Sequence, residues 1–210
     1  MILYCVRHGE SVYNAERRIQ GQTDVELSPL GLSQSEAVVA ELSTLPLEAV
    51  FSSPLRRARQ TAEPLSEALG LELRIDRRLA EINAGVFQGL DWQEIQAKYP
   101  DEGARWKSHD PDFVIPGGES RRQLVARAVE AFEAIRAVGL RHVAVVAHGG
   151  LLTAAFKGLF AVPLERNPFN LLNGSISQIG WEAEPTLLTL NQVEHLRRLA
   201  GLAEARVGDL

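Results

Sequence analysis

Apolar residues fall along this chain in two patterns. One is a set of short, nearly unbroken runs rich in β-branched residues: Ile2 to Val6, Glu48 to Ser53 and His142 to Ala147. Unbroken rather than alternating hydrophobicity marks strands covered on both faces, as in a parallel sheet. Ser175 to Trp181 and Thr186 to Leu190 predict two more strands, joined by a Pro-containing turn. The other pattern is helical. Leu124, Val125, Ala128, Val129, Phe132 and Ile135 keep the period of a helix from Glu119 to about Val138. Ser28-Pro29 supplies an N-cap and a proline at the first helical position, predicting a helix to about Ser43. Pro54 opens another that carries Arg56, Arg57 and Arg59, with a bend expected at Pro64. A fourth follows Gly149-Gly150 to about Phe160.

Strands alternating with helices predict an α/β fold: an open, mostly parallel sheet with helices on both faces. One domain spanning 1–210 is the expected organisation. Within it, 83–118 has no clear strand and contains Pro100, Pro111, Pro116 and Gly117-Gly118. That segment reads as an excursion over one end of the sheet, in a position to serve as a lid.

Composition changes this picture only by exclusion. A 45% hydrophobic, 23% charged chain has enough material for a core, and a net charge of −5 gives no support to nucleic-acid or anionic-membrane binding. One cysteine, Cys5, excludes an internal disulfide and any cysteine-rich zinc site. No run approaches the ~20 apolar residues of a membrane span, and the N-terminus turns polar too early for a signal peptide. A cytoplasmic location follows as the expectation. A homodimer is compatible with these features and not required by them.

Candidate chemistry gathers at the strand ends, where open parallel sheets bind ligands. Arg7-His8-Gly9 leaves the first strand, Ser52-Ser53-Pro54 with Arg56 and Arg57 the second, and His148-Gly149-Gly150 the third. Leu79-Ala80-Glu81 precedes the excursion. Two histidines, two arginines and a carboxylate suit a phosphate ester. Arginine offers a rigid fork of donors to the dianion. A neutral imidazole attacks phosphorus and gives a covalent phosphohistidine. Neighbouring arginines oppose its protonation, and a second, charged histidine would stabilise the equatorial oxygens. A carboxyl group protonates the leaving oxygen and then deprotonates water. Each residue alone has a plainer explanation: a solvated turn, a wet helix face, a core histidine. Their joint placement carries the reading.

Taken in order, Arg7-His8-Gly9-Glu10-Ser11, Asn14, Gln20-Gly21, Asp24, Leu27-Ser28-Pro29-Leu30-Gly31, Ser52-Ser53-Pro54-Leu55-Arg56-Arg57-Ala58, Leu79-Ala80-Glu81 and Ala147-His148-Gly149-Gly150 resemble the histidine phosphatase superfamily, the phosphoglycerate-mutase-like fold. The resemblance implies that His8 is the phosphorylated nucleophile, with Arg7, Arg57 and His148 completing the phosphate pocket. Asn14 and the Gly149 amide would be added donors, Gln20 and Gly21 the loop over the phosphate, and Glu81 the proton donor. No metal or other cofactor is implied, and the partner is a small phosphorylated metabolite. The segment Leu190 to Leu196 is similar to the end of phosphoserine phosphatases of this family, where a histidine, here His195, reaches the substrate.

Mutase and phosphatase remain alternatives. Mutases of the family follow their glutamate with a His-Tyr pair and then a lysine; here the tyrosine position is Ala84 and the lysine position Trp92. Their paired insertion arginines have no clear counterpart, since Arg121-Arg122 adjoins a Pro-Gly-Gly-Glu-Ser segment of phosphatase type. Hydrolysis of a phosphoserine, phosphoglycerate or sugar-phosphate type of substrate is the favoured expectation. A rival class rests on Asp110-Pro111-Asp112-Phe113-Val114, which fits the loose pattern of magnesium-dependent aspartate phosphatases, but no buried strand leads into it.

Overall fold

The computed structural model describes residues 1–197 and 199; the rest of the predicted 1–210 span, residue 198 and residues 200–210, lies outside the described residues. Strand β1 (Ile2–Arg7) is followed by a one-turn helix α1 (Val12–Ala15) and by α2 (Pro29–Leu42). Then come β2 (Ala49–Ser52), α3 (Arg56–Leu69) and β3 (Leu73–Ile75). The excursion folds as α4 (Trp92–Lys98) and α5 (Pro100–Lys107), before α6 (Arg121–Ala137), β4 (His142–Ala147), α7 (Gly149–Leu159), β5 (Ile176–Trp181) and β6 (Pro185–Gln192). All five predicted strands and all four predicted helices are present.

The six strands lie in the order β3-β2-β4-β1-β5-β6. β3, β2, β4 and β1 are parallel, while β5 and β6 add an antiparallel margin. Helices cover both faces, which explains the unbroken apolar runs. Leu3 and Cys5 of β1 join one core with Phe132 of α6 and Phe156 of α7. Tyr4 and Val6 join the other with Val38 of α2 and Leu65 of α3. Successive side chains of a strand face opposite ways, so a strand buried between two helical layers must be apolar at every position.

Two details of α3 bear on the site. Its start is capped from a distance: the Arg56 N–H donates to the Asp24 carboxylate at 2.7 Å. Pro64 lies inside the helix without ending it. The Gln60 carbonyl that Pro64 cannot serve accepts from the Ser35 hydroxyl of α2 at 3.2 Å, and so remains satisfied.

Candidate active site

The central pair of the sheet sets the site. β1 and β4 are parallel neighbours with Arg7 opposite Ala147, so the next residues of both strands, His8 and His148, emerge side by side. Their rings stand 5.0 Å apart, edge to face. β2 lies on the far side of β4 with Ser52 opposite Val146, which delivers Ser53 to the same edge.

The state of His8 is fixed by two neighbours that agree. Its Nδ1 lies 2.6 Å from the Gly9 carbonyl, which only accepts, so the proton is on Nδ1. Its Nε2 lies 3.2 Å from the Arg57 Nε–H, which only donates, so Nε2 carries a lone pair. Burial, then Arg57, then Arg7 hold this imidazole well below its usual range, opposed only by the Gly9 bond. The ring is neutral, buried, and presents an unprotonated nitrogen into the cavity.

Arg57 is wholly buried and also clamps the approaching loop, donating to the Thr23 carbonyl at 2.9 Å and the Gly21 carbonyl at 2.8 Å. Arg7 donates to the Leu171 carbonyl at 2.6 Å. His148 differs from the cation expected from the sequence. Burial, followed by the nearby Arg57, His8 and Arg7, pushes it well below the imidazole range, so it too is neutral. The Ser53 hydroxyl lies 2.7 Å from its Nε2 and accepts from the Leu55 N–H. Donation from that hydroxyl to Nε2 would put the ring proton on Nδ1, a buried atom with no hydrogen-bond partner among the described residues.

Glu81 closes the opposite wall. Its carboxylate accepts from the Ile82 N–H at 2.8 Å and the Gly150 N–H at 3.0 Å. α7 starts here without a side-chain cap, and the positive end of its dipole adds to the arginines. Together Arg7, His8, Gln20, Gly21, Arg57, Glu81 and Gly149 line a cavity of about 170 Å³, completed by Thr153 and by Asn167, Phe169, Asn170 and Leu171 from the α7–β5 connection.

Three expected residues do not line it: Asn14, His195 and His148, which is wholly buried with its ring 5.0 Å from that of His8. The Asn14 Oδ1 accepts from the Ser11 N–H at 3.0 Å and from Asn173 Nδ2 at 3.1 Å, work that belongs to the cap of α1 and the turn behind His8. His195 bonds through Nε2 to the Gly174 carbonyl at 2.9 Å. Asp110 and Asp112, the aspartates of the rival reading, sit in a loop after α5 beside Arg105 and Arg122 rather than at a strand end.

Other residues support the site without any motif to announce them. Thr61 accepts from the Gly9 N–H at 3.1 Å, tying α3 to the nucleophile turn. Arg127 of α6 donates to the carbonyls of Arg78, Ala80 and Glu81 at 2.8, 2.7 and 3.2 Å, and fixes the backbone that carries Glu81. Both read in the sequence as ordinary polar positions of helices.

A neutral imidazole with an unprotonated Nε2, two arginines and a carboxyl group around one small cavity form a phosphoryl-transfer site. Comparison with known proteins assigns the family. The model of the histidine phosphatase superfamily (branch 1) matches residues 3–193. The chain is 34% identical over 200 residues to phosphoserine phosphatase 1 of Hydrogenobacter thermophilus, covering 92% of this chain and 93% of that one. It is 37% identical over 175 residues to glucosyl-3-phosphoglycerate phosphatase of Mycobacterium tuberculosis, covering 79% and 78%. The solved structure of the mycobacterial glucosyl-3-phosphoglycerate phosphatase with VO3 superimposes with a TM-score of 0.82 at 36% identity, over 90% of this chain and 98% of that one. The chain belongs to the histidine phosphatase superfamily.

Proposed function

We propose that the protein is a cytoplasmic phosphatase that hydrolyses a small phosphomonoester through a phosphohistidine at His8, without a metal. The observation that carries this is the tautomer of His8, with the proton on Nδ1 at the Gly9 carbonyl and the lone pair of Nε2 beside Arg57. Arg7 and Arg57 take the phosphoryl oxygens, and Nδ1–H of His148 supplies a neutral donor. His8 Nε2 attacks phosphorus, the P–O ester bond breaks, and Glu81 in its protonated form gives its proton to the departing oxygen. The Glu81 carboxylate then takes a proton from water, whose oxygen attacks phosphorus. The P–N bond breaks, phosphate leaves, and both residues return to their starting states.

Hydrolysis is favoured over phosphoryl shuffling because the mutase clamps are absent: Ala84 is fully buried, and Trp92 packs against the core. The test is phosphate release in EDTA from phosphoserine, 3-phosphoglycerate and p-nitrophenyl phosphate, with His8→Ala alongside. Metal-free release that vanishes in the variant is the expected outcome. Release unchanged in His8→Ala would defeat the reading. Conversion of 3- to 2-phosphoglycerate in the presence of bisphosphoglycerate, with no net release, would replace it by the mutase.

A further inference from the structure

Behind the phosphate pocket lies a second cavity of about 60 Å³, which shares Gly150, Thr153 and Asn167 with it. Two cations line it, Arg121 and Lys157, with His109, Thr153 and Asn167 as further polar groups. Among the described residues no Asp or Glu lines it.

These cations are poorly compensated. The Arg121 guanidinium stacks on Trp106, 3.4 Å from the ring centroid, and Nη2 donates to the Trp106 carbonyl at 3.0 Å. Its Nη1 is buried with no hydrogen-bond partner among the described residues. Lys157 is only 6% exposed, in a helix whose neighbours Ala154, Ala155 and Phe156 are core residues. Its Nζ donates to the Leu164 carbonyl at 3.2 Å. Among the described residues neither cation has an ion-pair partner; Asp110, whose charge reaches Arg121, is itself paired with Arg105. Burial lowers Arg121 to about 10 against the opposing charge of Asp110, and burial and then Arg121 lower Lys157 against that of Glu165. His109 is held down by burial and by both of them. Buried charge without a counter-charge is disfavoured unless something supplies the anion.

We propose that this annex is the subsite for a carboxylate of the substrate, held between Arg121 and Lys157 while the phosphoryl group lies against His8 and Arg57. It deepens the phosphatase reading and rests on it. The planar guanidinium fork, one arm of which lacks a partner, matches the two oxygens of a carboxylate. The annex is small beside the phosphate pocket and suits a trigonal group rather than a second phosphoryl group. Thr153 and Asn167 line both cavities, where the atoms joining the two anionic ends would lie. With no acid in its lining, the annex gives no counter-charge to an ammonium, so a phosphorylated hydroxy acid fits it better than a phosphorylated amino acid.

The test compares kcat/KM for 3-phosphoglycerate, for glycerol 1-phosphate (the same skeleton with hydroxymethyl in place of carboxylate) and for p-nitrophenyl phosphate. It uses the wild type, Lys157→Met and Arg121→Gln. The wild type should prefer phosphoglycerate to glycerol phosphate by tenfold or more. Each substitution should remove a charge-assisted contact and cut kcat/KM for phosphoglycerate about 10- to 100-fold, mainly through KM. The other two substrates should change less than about threefold. Equal losses on all three substrates would reduce Arg121 and Lys157 to structural roles and overturn the proposal. So would a wild type indifferent to the carboxylate, or one that prefers glycerol 1,3-bisphosphate to phosphoglycerate. No release from any substrate would remove the phosphatase reading itself, and the subsite with it.

Discussion

The acid role of Glu81 is open to a steric test that leaves its carboxyl group in place. Gly150 takes its place in α7 because the Glu81 carboxylate lies against it: an added Cβ would stand 2.5 Å from Oε1 and 3.1 Å from Cδ. Ordinary contact begins near 3.4 Å, so Gly150→Ala must push the carboxylate back by about 0.9 Å, the difference between 3.4 and 2.5. Glu81 cannot yield freely, since the Ile82 and Gly150 amides hold its oxygens and Arg127 holds its backbone. A displacement of about 1 Å at a catalytic group is worth on the order of 100-fold in rate. The loss should depend on the leaving group. An alkoxide needs the Glu81 proton as its bond to phosphorus breaks; nitrophenolate departs without one. Because kcat/KM reports the first irreversible step, the later role of Glu81 toward water does not enter. Gly150→Ala should therefore cut kcat/KM for glycerol phosphate about 100-fold and for p-nitrophenyl phosphate only a few-fold. Equal losses on both substrates, or none on either, would refute the assignment of Glu81 as the proton donor.

Further predictions concern the two histidines. With no phosphate added, 15N NMR should find both His8 and His148 neutral as pH falls through 6.5, because both are pushed well below that value; a ring taking up its proton at its ordinary pKa would contradict the burial argument. The same shifts tie stability to pH. The unfolded chain binds these protons below 6.5 and the folded chain does not, so stability is full above 6.5 and declines as pH falls toward the folded values. Melting temperature should thus drop between pH 7 and 5, with a shallower slope in His148→Gln. Ser53→Ala strips His148 Nε2 of its 2.7 Å partner. An unsatisfied buried nitrogen costs about 1–3 kcal/mol, which calorimetry should record as a fall of roughly 2–12 °C in a chain of this size.

How much of this was legible in the sequence depended on what each residue answers to. His8 and His148 could be read because each ends an unbroken apolar strand and precedes glycine, a pattern fixed by the local backbone. Their adjacency could not, because it follows from β4 inserting between β2 and β1, a choice made by the packing of whole layers. β3 escaped notice since it has only three residues, Leu73–Ile75, none of them buried. The wall of the cavity from Asn167 to Leu171 has no periodicity to read. Asn14 and His195 were placed by resemblance, and their side chains are occupied by Ser11, Asn173 and the Gly174 carbonyl. The charge expected on His148 is opposed by what keeps His8 neutral: both rings are buried, and Arg57 and Arg7 act on each.

The cationic annex shows where more was available. Lys157 sits among Leu151, Leu152, Ala154, Ala155 and Phe156 on a helix that the hydrophobic pattern already assigned to the interior. A lysine in such a helix either snorkels to water or is held for a counter-charge. At 6% exposure it does not reach water. Position in an apolar helix was therefore a functional signal, weaker than a motif because it names no chemistry until Arg121, from the start of another helix, is brought beside it. Motifs find residues whose backbone must approach the reacting phosphorus. Substrate identity is decided further out, by side chains such as Arg121 and Lys157, where the only mark in the sequence is a charge in a place that should have been apolar.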